Sequence, residues 1–544
     1  MINYFFSYTG RKEYVDVVKC LDKDFVAKPS LLFGDGRLDD QFNLYYPGKV
    51  IKEKNIYYNL HHIKVETNED TLYYDFLHSN KYLTYKDQLL KMMDRIDHIG
   101  SFNRLDRESL IYRLTIFWFN KIRQLKPDLI IFCDTPHTHE TFSLYKISKY
   151  INIPVYIIKE WAGIPCTCVH SIFNKNHEII KRKKIYDSDQ IICEYIKNFL
   201  ENIKLSENLN NKKNHIYMEN LKLSNTFFGP TINIYSETIR RYKKGYLSKK
   251  RIFFRAPRFF FFIIKYFFYD IFYKIFDLLV LRFFTNDPKN IFNFSLIRKR
   301  KIIKKRNKIL ISKYHKSIDI NSLDDLRLNQ YVYYSLHYEP ESSTNPQGGD
   351  FYDQYIAITS LRKWLPNSIK IFIKEHPSQF LLKNAYGYLG RSQYFYDALK
   401  DIPGVRIVSM NLNSIEIIKH SLFVATITGT VAIEAAVLEK KAIVFGQPWF
   451  KDLPNVFSWD KSLNYNNLIQ PSKSKLEDLE LFLVKKYYKY CYPVFLNPSG
   501  QYSYPITENM TYKTNEYLAL KDLMLNIFEN NKKNFETNIN HKSN

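Results

Sequence analysis

Between residues 331 and 445, short apolar runs alternate with stretches of helical pattern, and this alternation limits the fold more than any other feature of the chain. The runs are rich in β-branched and aromatic residues, as expected of strands buried on both faces. Strands that alternate with helices in this way form a doubly wound parallel sheet. Strands are predicted near Tyr331–Leu336, Ile369–Ile373, Val405–Val408, Leu422–Thr426 and Ala442–Phe445. Helices are predicted near Asp353–Trp364, Arg391–Leu399, Ser414–His420 and Val431–Leu438.

The same strand–helix–strand order occurs once more, earlier in the chain. An apolar run at Pro127–Cys133 is followed by a helical pattern at Thr141–Tyr150 and a second run at Val155–Ile158. This order is typical of a βαβ unit. We therefore expect an α/β protein with two Rossmann-like domains facing a cleft.

The chain has 544 residues, which is too many for one compact core. Residues 1–200 are interpreted as a Rossmann-like acceptor domain, and residues 326–470 as a Rossmann-like nucleotide-sugar domain. Residues 201–325 would form a basic helical insert or linker. Residues 471–544 are expected to form a helical tail.

Positive charge is concentrated in one segment of the chain. The formal net charge is +25, and residues 240–306 hold twenty Lys and Arg against three Asp, a net charge of +17. A charge so localised indicates a basic patch that faces an anionic partner. The segment lacks a recognised nucleic-acid module, and its aromatic residues are clustered Phe, so nucleic acid is not expected as a partner.

An anionic membrane surface is the partner expected for residues 240–306. The longest purely apolar run there, Phe259–Ile264, is too short to cross a bilayer. It suits a helix in the membrane interface, with cations on the headgroups. A helical insert buried between domains remains the alternative.

The cysteines and the amino terminus favour a cytoplasmic protein, peripherally associated with the inner membrane. The six cysteines are scattered and are expected to be reduced thiols. The first residues lack the pattern of a signal peptide. His137, His139 and Glu140 resemble metal ligands superficially, but no third histidine follows at a suitable spacing, so no metal is expected.

Polar residues follow three of the predicted strands in the second half, where each strand ends. Because the carboxyl ends of parallel strands border the ligand crevice, these residues are expected to converge on one site. The first group is Thr428-Gly429-Thr430, a tight turn that leads into a helix, where backbone amides and the helix dipole favour a phosphate. Glu434, one turn further, is expected to accept hydrogen bonds from ribose hydroxyls, and Gly446 after the next strand to allow close approach of the ligand. The alternative is that Thr430 only caps the helix.

The second group is Lys374, His376 and Pro377. Pro377 restricts His376 to an extended conformation, and the imidazole and the lysine would donate to a phosphate. A histidine satisfied by the backbone is the alternative.

The third group is Glu339 and Glu341, with Pro340 between them. One carboxylate would bind sugar hydroxyls and the other would act as a general base or orient the donor. A solvated acidic loop is the alternative.

Candidates for the base that activates the acceptor come from the first domain. Asp134 and His137 follow one predicted strand there, Glu160 follows the next, and Asp35 lies between two glycines near the amino terminus. The alternative is that these are loop residues satisfied locally.

The motifs around these groups resemble those of the bacterial capsular polysaccharide biosynthesis family, which includes Kdo transferases with two Rossmann-like domains in a GT-B-like arrangement. The resemblance implies the same arrangement for this chain. The resemblance covers residues 331–457 well and residues 128–161 more loosely. It rests on Leu336-His-x-x-Pro-Glu341, Lys374-Glu-His-Pro377, Thr428-Gly-Thr-Val-x-x-Glu434 and Ile443-Val-Phe-Gly446.

The resemblance implies that the His-Pro segment and the Gly-Thr helix hold the donor phosphate, often that of CMP. It also implies that the Pro-Glu acid lies near the transferred sugar and that a catalytic Asp belongs to the first domain, where Asp35 and Asp134 are candidates.

These features together predict a metal-independent, inverting glycosyltransferase of capsular or surface polysaccharide biosynthesis. The nucleotide-sugar would be a substrate, no cofactor is expected, and the acceptor would be a glycan or lipid-linked glycan. The alternative is a non-catalytic factor of polysaccharide binding, or of capsule export or assembly, with the same fold.

Overall fold

The computed structural model describes residues 1–9, 11–34, 38–52, 71–96, 103–170, 180–205, 296–380, 390–495 and 510–542. Asp35 and residues 240–295 of the basic segment lie outside the described residues. The predictions that concern them therefore stay predictions.

The first domain is built on a seven-stranded sheet with the order β14-β6-β5-β4-β1-β2-β3. The strands β1 to β5 are parallel, and β6 and β14 extend one edge in antiparallel fashion. The bounds are β1 Ile2–Tyr8, β2 Ala27–Gly34, β3 Val50–Lys52, β4 Leu129–Phe132, β5 Val155–Glu160, β6 Thr167–His170 and β14 Cys491–Tyr492. The parallel part has the strand order of a Rossmann fold.

Helices cover both faces of this sheet. They are α1 Glu13–Lys23, α2 Asp39–Tyr45, α3 Thr71–Leu77, α4 Asn80–Ile96, α5 Arg104–Leu125, α6 His139–Tyr150 and α7 Asp189–Leu205. The helix α6 begins where the Thr138 hydroxyl accepts a hydrogen bond from the Thr141 amide at 3.4 Å. The core face that contains Ile130, Phe132 and Ile157 packs against α4, α5 and α6.

The second domain is built on a fully parallel sheet with the order β13-β12-β11-β8-β9-β10-β7. The bounds are β7 Ile318–Ile320, β8 Tyr331–Ser335, β9 Lys370–Lys374, β10 Val405–Val408, β11 Val424–Thr426, β12 Ala442–Val444 and β13 Val456–Ser458. The prediction of an α/β fold with two Rossmann-like domains is confirmed.

The helices of the second half agree closely with the sequence pattern. They are α8 Leu296–Ser317, α9 Leu323–Arg327, α10 Gln354–Trp364, α11 Phe395–Lys400, α12 Ser414–His420, α13 Val431–Val437, α14 Tyr465–Ile469 and α15 Leu476–Tyr490. Short 3-10 turns occur at Gly349–Phe351 and Pro377–Phe380. The largest difference concerns α11, which begins at Phe395 and not near Arg391, because Arg391 is buried in an ion pair.

The structure places two domain boundaries differently from the sequence interpretation. The strand β7 pairs with β10, and Leu310 and Tyr314 of α8 lie in the core of the second domain, so this domain begins well before residue 326. The last helix, α16 Met510–Lys542, packs its apolar side chains into the core of the first domain. Residues 471–544 are therefore not a separate tail.

One apolar core is shared by the two domains. It joins Trp161 and Ile196 from the first half to Ile433 and Trp449 from the second. The indole rings of Trp161 and Trp449 stack with their centroids 4.7 Å apart. Within the described ranges, no helix combines the length and the hydropathy that a membrane span requires.

Candidate active site

The site lies where the strand order of the second sheet reverses. The neighbouring strands β8 and β11 continue toward opposite sides of the sheet, which opens a crevice at their carboxyl ends. His337 follows β8, and its Nε2 lies 3.1 Å from Oγ1 of Thr426, the last residue of β11. This histidine closes the base of the crevice.

The protonation of His337 is fixed by its neighbours. The Thr428 amide donates to Nε2 at 3.0 Å, so that Nε2 is the unprotonated nitrogen of a neutral ring. Burial lowers the pKa of His337 to about 3, and the neighbouring His376 and Arg391 act in the same direction. The sequence analysis did not assign a role to this residue, although it stands in the Leu336-His motif. It holds the Gly-Thr turn against β8.

A short loop connects Glu341 to the same turn. The Ser343 hydroxyl donates to Glu341 Oε2 at 2.7 Å, and the Thr428 hydroxyl donates to the Ser343 carbonyl oxygen at 2.6 Å. Glu341 is exposed to solvent, yet the surrounding protein raises the pKa of its carboxyl group through desolvation. The structure thus brings Glu341 and Gly429 together at one crevice, as predicted.

His376 stands at the end of the neighbouring strand, β9. The Ser378 amide donates to its Nδ1 at 3.1 Å, so the proton of the neutral ring is on Nε2. Burial lowers the pKa of His376 to about 4 against the opposing effect of Glu375, so the ring is neutral at pH 7. Among the described residues, Nε2 has no hydrogen-bond partner. It is a donor that remains available to a ligand.

Glu434 is the second residue at these strand ends whose side chain has no hydrogen-bond partner among the described residues. Together with His376 it belongs to the second-domain wall of the crevice. It lies one turn into α13 and is partly exposed, and its carboxylate makes no hydrogen bond or ion pair with the described residues. Desolvation raises the pKa of its carboxyl group, and Lys374 partly offsets this effect. Thr430 is exposed at the N-cap of the same helix, and its side chain makes no capping bond. Pro377 is exposed beside His376.

Lys374 has a different role from the one predicted. Its side chain is buried, and Nζ donates to the Leu412 carbonyl oxygen at 2.6 Å and to Ser414 Oγ at 2.8 Å. The ammonium group therefore fixes the loop before α12. It does not extend toward an incoming phosphate.

Gly446 also has a different role from the one predicted. A side chain at this position would meet Thr428 Cγ2 at 2.6 Å and the Gln347 carbonyl oxygen at 2.8 Å. The space beside Gly446 is occupied by the protein itself. The glycine is required for the loop before α10 to pack on β12, not for the approach of a ligand.

Glu339 is held inside the protein, in contrast to Glu341. Gln354 Nε2 donates to its Oε1 at 3.2 Å, and the ammonium group of Lys91 lies 3.8 Å from the same oxygen. Desolvation raises the pKa of Glu339, with Lys91 acting against this effect. Since Lys91 belongs to α4 of the first domain, Glu339 stabilises the contact between domains. The prediction that it binds the donor is not supported by this position.

An ion pair that the sequence analysis missed lies beneath the site. Arg391 donates to both oxygens of Glu375, Nε to Oε2 at 2.9 Å and Nη2 to Oε1 at 3.1 Å. The same guanidinium donates to the His337 carbonyl oxygen at 2.7 Å, and the Tyr396 hydroxyl donates to Glu375 at 2.7 Å. No sequence signal marks this pair, because its partners are 16 residues apart, a separation that matches no regular structural period.

The first domain contributes the opposite wall. Asp134 is exposed just beyond the end of β4, and its Oδ2 lies 3.9 Å from His137 Nδ1. His137 Nδ1 lies 2.6 Å from the Thr135 carbonyl oxygen, which can only accept, so Nδ1 carries a proton and Nε2 is the ring nitrogen that can act as a base. Arg95 Nη1 donates to the His137 carbonyl oxygen at 3.3 Å.

Glu160 is separated from Asp134 and His137. Side chains alternate between the faces of a strand, and Ile158 of β5 belongs to the core on the side of α1, whereas Ile157 belongs to the core on the side of α4. Glu160 therefore shares the face of Ile158. Asp134 lies beyond the end of β4, where it raises the pKa of Lys159, a residue of β5 on the same face as Ile157. Of the four predicted bases, the three that the structure describes do not form one group.

The two walls are in direct contact at their edge. Gln347 Nε2 donates to Thr135 Oγ1 at 3.3 Å, and Asn345 Nδ2 donates to the Gln88 carbonyl oxygen at 2.9 Å. The crevice thus has fixed sides. Across the described ranges, no three His, Cys, Asp or Glu side chains are arranged as a metal site.

The comparisons with known proteins cover different parts of the chain. Residues 300–492 match the family model described as capsule polysaccharide biosynthesis protein. This confirms the resemblance to the capsular polysaccharide biosynthesis family. The matched residues include both motifs of the second-domain wall, His376 and the Gly-Thr turn. No curated protein shows significant similarity to the chain.

Solved structures with similarity to the chain are distant. The beta Kdo 2,7 transferase KpsC of Thermosulfurimonas dismutans shares 17% identity over 38% of this chain, with a TM-score of 0.19. The match covers 54% of KpsC, so the chain spans about half the length of that protein. UDP-GlcNAc 2-epimerases from Neisseria meningitidis and Methanocaldococcus jannaschii each share 11% identity. The match to the Neisseria meningitidis epimerase covers 81% of this chain and 82% of the epimerase, with a TM-score of 0.16. The match to the Methanocaldococcus jannaschii epimerase covers 89% of this chain and 100% of the epimerase, with a TM-score of 0.20.

Proposed function

We propose that the protein is a glycosyltransferase of capsule polysaccharide biosynthesis, which transfers a sugar from a nucleotide-sugar to a glycan or lipid-linked glycan. The observation that carries the proposal is His376. Its neutral ring presents an Nε2 proton at a strand end, in a crevice bordered by parallel strands, where no described protein group accepts it. A phosphate oxygen of a donor suits this position.

The second domain would bind the donor through three contacts. His376 Nε2 donates to a phosphate oxygen, and the exposed Thr430 hydroxyl supplies a second donor. The carboxylate of Glu434 accepts hydrogen bonds from ribose hydroxyls. The family resemblance favours CMP as the nucleotide and a Kdo-like sugar.

The first domain would activate the acceptor. His137 Nε2 takes the proton of the acceptor hydroxyl, the acceptor oxygen forms a bond to the anomeric carbon, and the bond between that carbon and the phosphate oxygen breaks. The electron pair leaves on the phosphate, where His376 Nε2–H stabilises the developing charge. Glu341 lies between the walls, beside the sugar. Asp134, exposed and next to His137, is the alternative base. This route inverts the anomeric centre and needs no metal.

The test is calorimetry with CMP and UDP on the wild type and on His376→Ala. We expect binding of one nucleotide, and a roughly tenfold or greater loss in the variant, the size expected of one charge-assisted hydrogen bond. His315→Ala, at an exposed position of α8, is the matched control. Equal nucleotide affinity in wild type and His376→Ala contradicts the assignment. Glycan binding without nucleotide binding would favour the non-catalytic polysaccharide factor.

The membrane partner is a separate part of the proposal. Residues 240–306 carry a net charge of +17. Lys305 and Arg306 of this segment are exposed in the described part of α8, and exposed Lys308 follows them. We expect binding to anionic vesicles that weakens as salt concentration rises. Equally strong binding to neutral and to anionic vesicles would exclude an electrostatic attachment.

A further inference from the structure

The segment that follows β8 is held in place by two glutamine side chains. Gln354 accepts a hydrogen bond from the His337 amide at 2.7 Å and donates to the His337 carbonyl oxygen at 3.2 Å. Gln379 makes the same pair of bonds with the backbone of Glu339, at 2.9 Å and 3.0 Å. Each side-chain amide thus satisfies both backbone groups of one residue, as a neighbouring strand would. The backbone on either side of residue 338 is therefore fixed.

Tyr338 lies between these two residues and differs from them in exposure. The side chains of His337 and Glu339 are buried, whereas Tyr338 is partly exposed. The centroid of its ring lies 6.4 Å from that of His376, and the two ring planes are inclined by 58°. The crevice therefore has an aromatic surface beside His376, the residue whose Nε2 is available to a ligand.

This position limits the part of a nucleotide-sugar that the ring can reach. In a CMP-sugar the phosphate is joined to the ribose on one side and to the transferred sugar on the other, and the base is one ring further away. Glu434 of α13 accounts for the ribose in the proposed donor site. The transferred sugar is then the part left for Tyr338, and Glu341, which the proposed mechanism places beside the sugar, follows Tyr338 by three residues.

We propose that Tyr338 binds the sugar of the donor, whose apolar C–H face packs on the tyrosine ring. The inference rests on the proposed function, because it takes a nucleotide-sugar as the ligand. An aromatic ring removes C–H groups of a sugar from water and leaves the sugar hydroxyls to polar side chains. Since Gln354 and Gln379 fix the backbone around Tyr338 before the ligand arrives, less conformational freedom is lost on binding.

The experiment is calorimetry on the full chain with two matched pairs of ligands, CMP with CMP-Kdo and UDP with UDP-GlcNAc. For the pair that binds, Tyr338→Ala should weaken the nucleotide-sugar roughly tenfold and the free nucleotide less than about twofold, the size expected for loss of one aromatic packing contact. Tyr338→Phe should bind both ligands as the wild type does, because the ring and not the hydroxyl makes the contact. Tyr394→Ala, at a tyrosine of the second domain that is 63% exposed, is the matched control.

The outcomes separate this inference from the proposed function. Equal weakening of nucleotide and nucleotide-sugar in Tyr338→Ala would assign the ring to the nucleotide and overturn the inference, and so would unchanged affinity for both. In either case, nucleotide binding that His376→Ala abolishes would leave the proposed function standing. A wild type that binds neither nucleotide would refute the proposed function and this inference with it. Thermal melts establish that each variant is folded.

Discussion

Arg391 and Glu375 form a two-bond ion pair that is almost completely buried, with side chains 1% and 0% exposed. The pair joins the ends of two neighbouring strands, since Arg391 also donates to the carbonyl oxygen of His337. Glu375 in turn accepts a bond from the amide of His376 at 2.7 Å. His376, which we propose donates a hydrogen bond to the phosphate, is therefore held in position by this ion pair. The ion pair itself is not in contact with a ligand.

Removal of one partner should destabilise the protein strongly. Arg391→Met leaves the Glu375 carboxylate buried without its counter-ion, which costs about 3–5 kcal/mol of folding free energy. Arg391→Lys should recover only part of this, because an ammonium group cannot make both bonds. Urea denaturation measures the effect. The comparison is Arg327→Met, whose pair with Asp324 is largely exposed and should contribute less than about 1 kcal/mol. Similar losses for both Met variants would contradict the role given to Arg391.

The buried His337 should make stability depend on pH. Its pKa in the folded protein is about 3, below the ordinary 6.5, so the unfolded chain binds a proton that the folded protein does not. The stability that this residue contributes is present above pH 6.5 and is lost as the pH falls, by up to about 1.4 kcal/mol per pH unit.

Comparison with a variant isolates this dependence from that of other groups. Urea melts of wild type and His337→Gln are recorded at several pH values. The difference in unfolding free energy between the two proteins should narrow as the pH falls from 6.5 to 4.5. His315→Gln, at an exposed site, should parallel the wild type. If the curves of unfolding free energy against pH for wild type and His337→Gln run parallel, the ring is protonated in the folded protein as well.

The stacked pair Trp161 and Trp449 should couple the two domains. A double-mutant cycle with Leu at each position is expected to give a coupling energy of about 0.5–1.5 kcal/mol, the range for aromatic pairs. Calorimetry should show one unfolding transition, because the apolar core is continuous. The Phe445–Trp459 stack, 4.5 Å apart within the second domain, is the reference cycle. Two separate transitions would show that the domains unfold independently.

Gly446→Ala tests the packing of the loop before α10. The added methyl group meets a backbone oxygen at 2.8 Å, so we expect a loss of about 1–3 kcal/mol in unfolding free energy. Nucleotide affinity should change little at temperatures where the variant is folded. A variant of normal stability with lost nucleotide binding would restore the original interpretation, in which this glycine makes room for a ligand.

Much of the second domain could be predicted from the sequence because its strands are continuous apolar runs. The strand at Val405–Val408 and the helix at Ser414–His420 have the bounds predicted. The strands of the first domain were harder to predict from the sequence. In β1, Ile2–Tyr8, polar Asn3 and Ser7 interrupt the aromatic residues, and β14 joins the sheet from more than 300 residues away.

The candidate site was predictable in position but not in detail. Strand ends in a parallel sheet converge by topology, so the sequence predicts that His376, Glu341 and the Gly-Thr turn lie at one edge of the sheet. Whether a polar group meets a ligand or the protein depends on contacts distant in sequence. Lys374 is satisfied by Leu412 and Ser414, and no local pattern shows this.

The contact of α16 with the first sheet has a consequence for biosynthesis. Leu520, Leu523 and Phe528 complete the core around Tyr4 and Phe6, and Glu516 forms an ion pair with Arg11 at 2.7 Å. Arg11 and Glu516 are 505 residues apart, so the apolar side chains of β1 stay uncovered until the ribosome has synthesised α16. A nascent chain that contains the second domain but not yet α16 would expose the apolar face of the first sheet to chaperones.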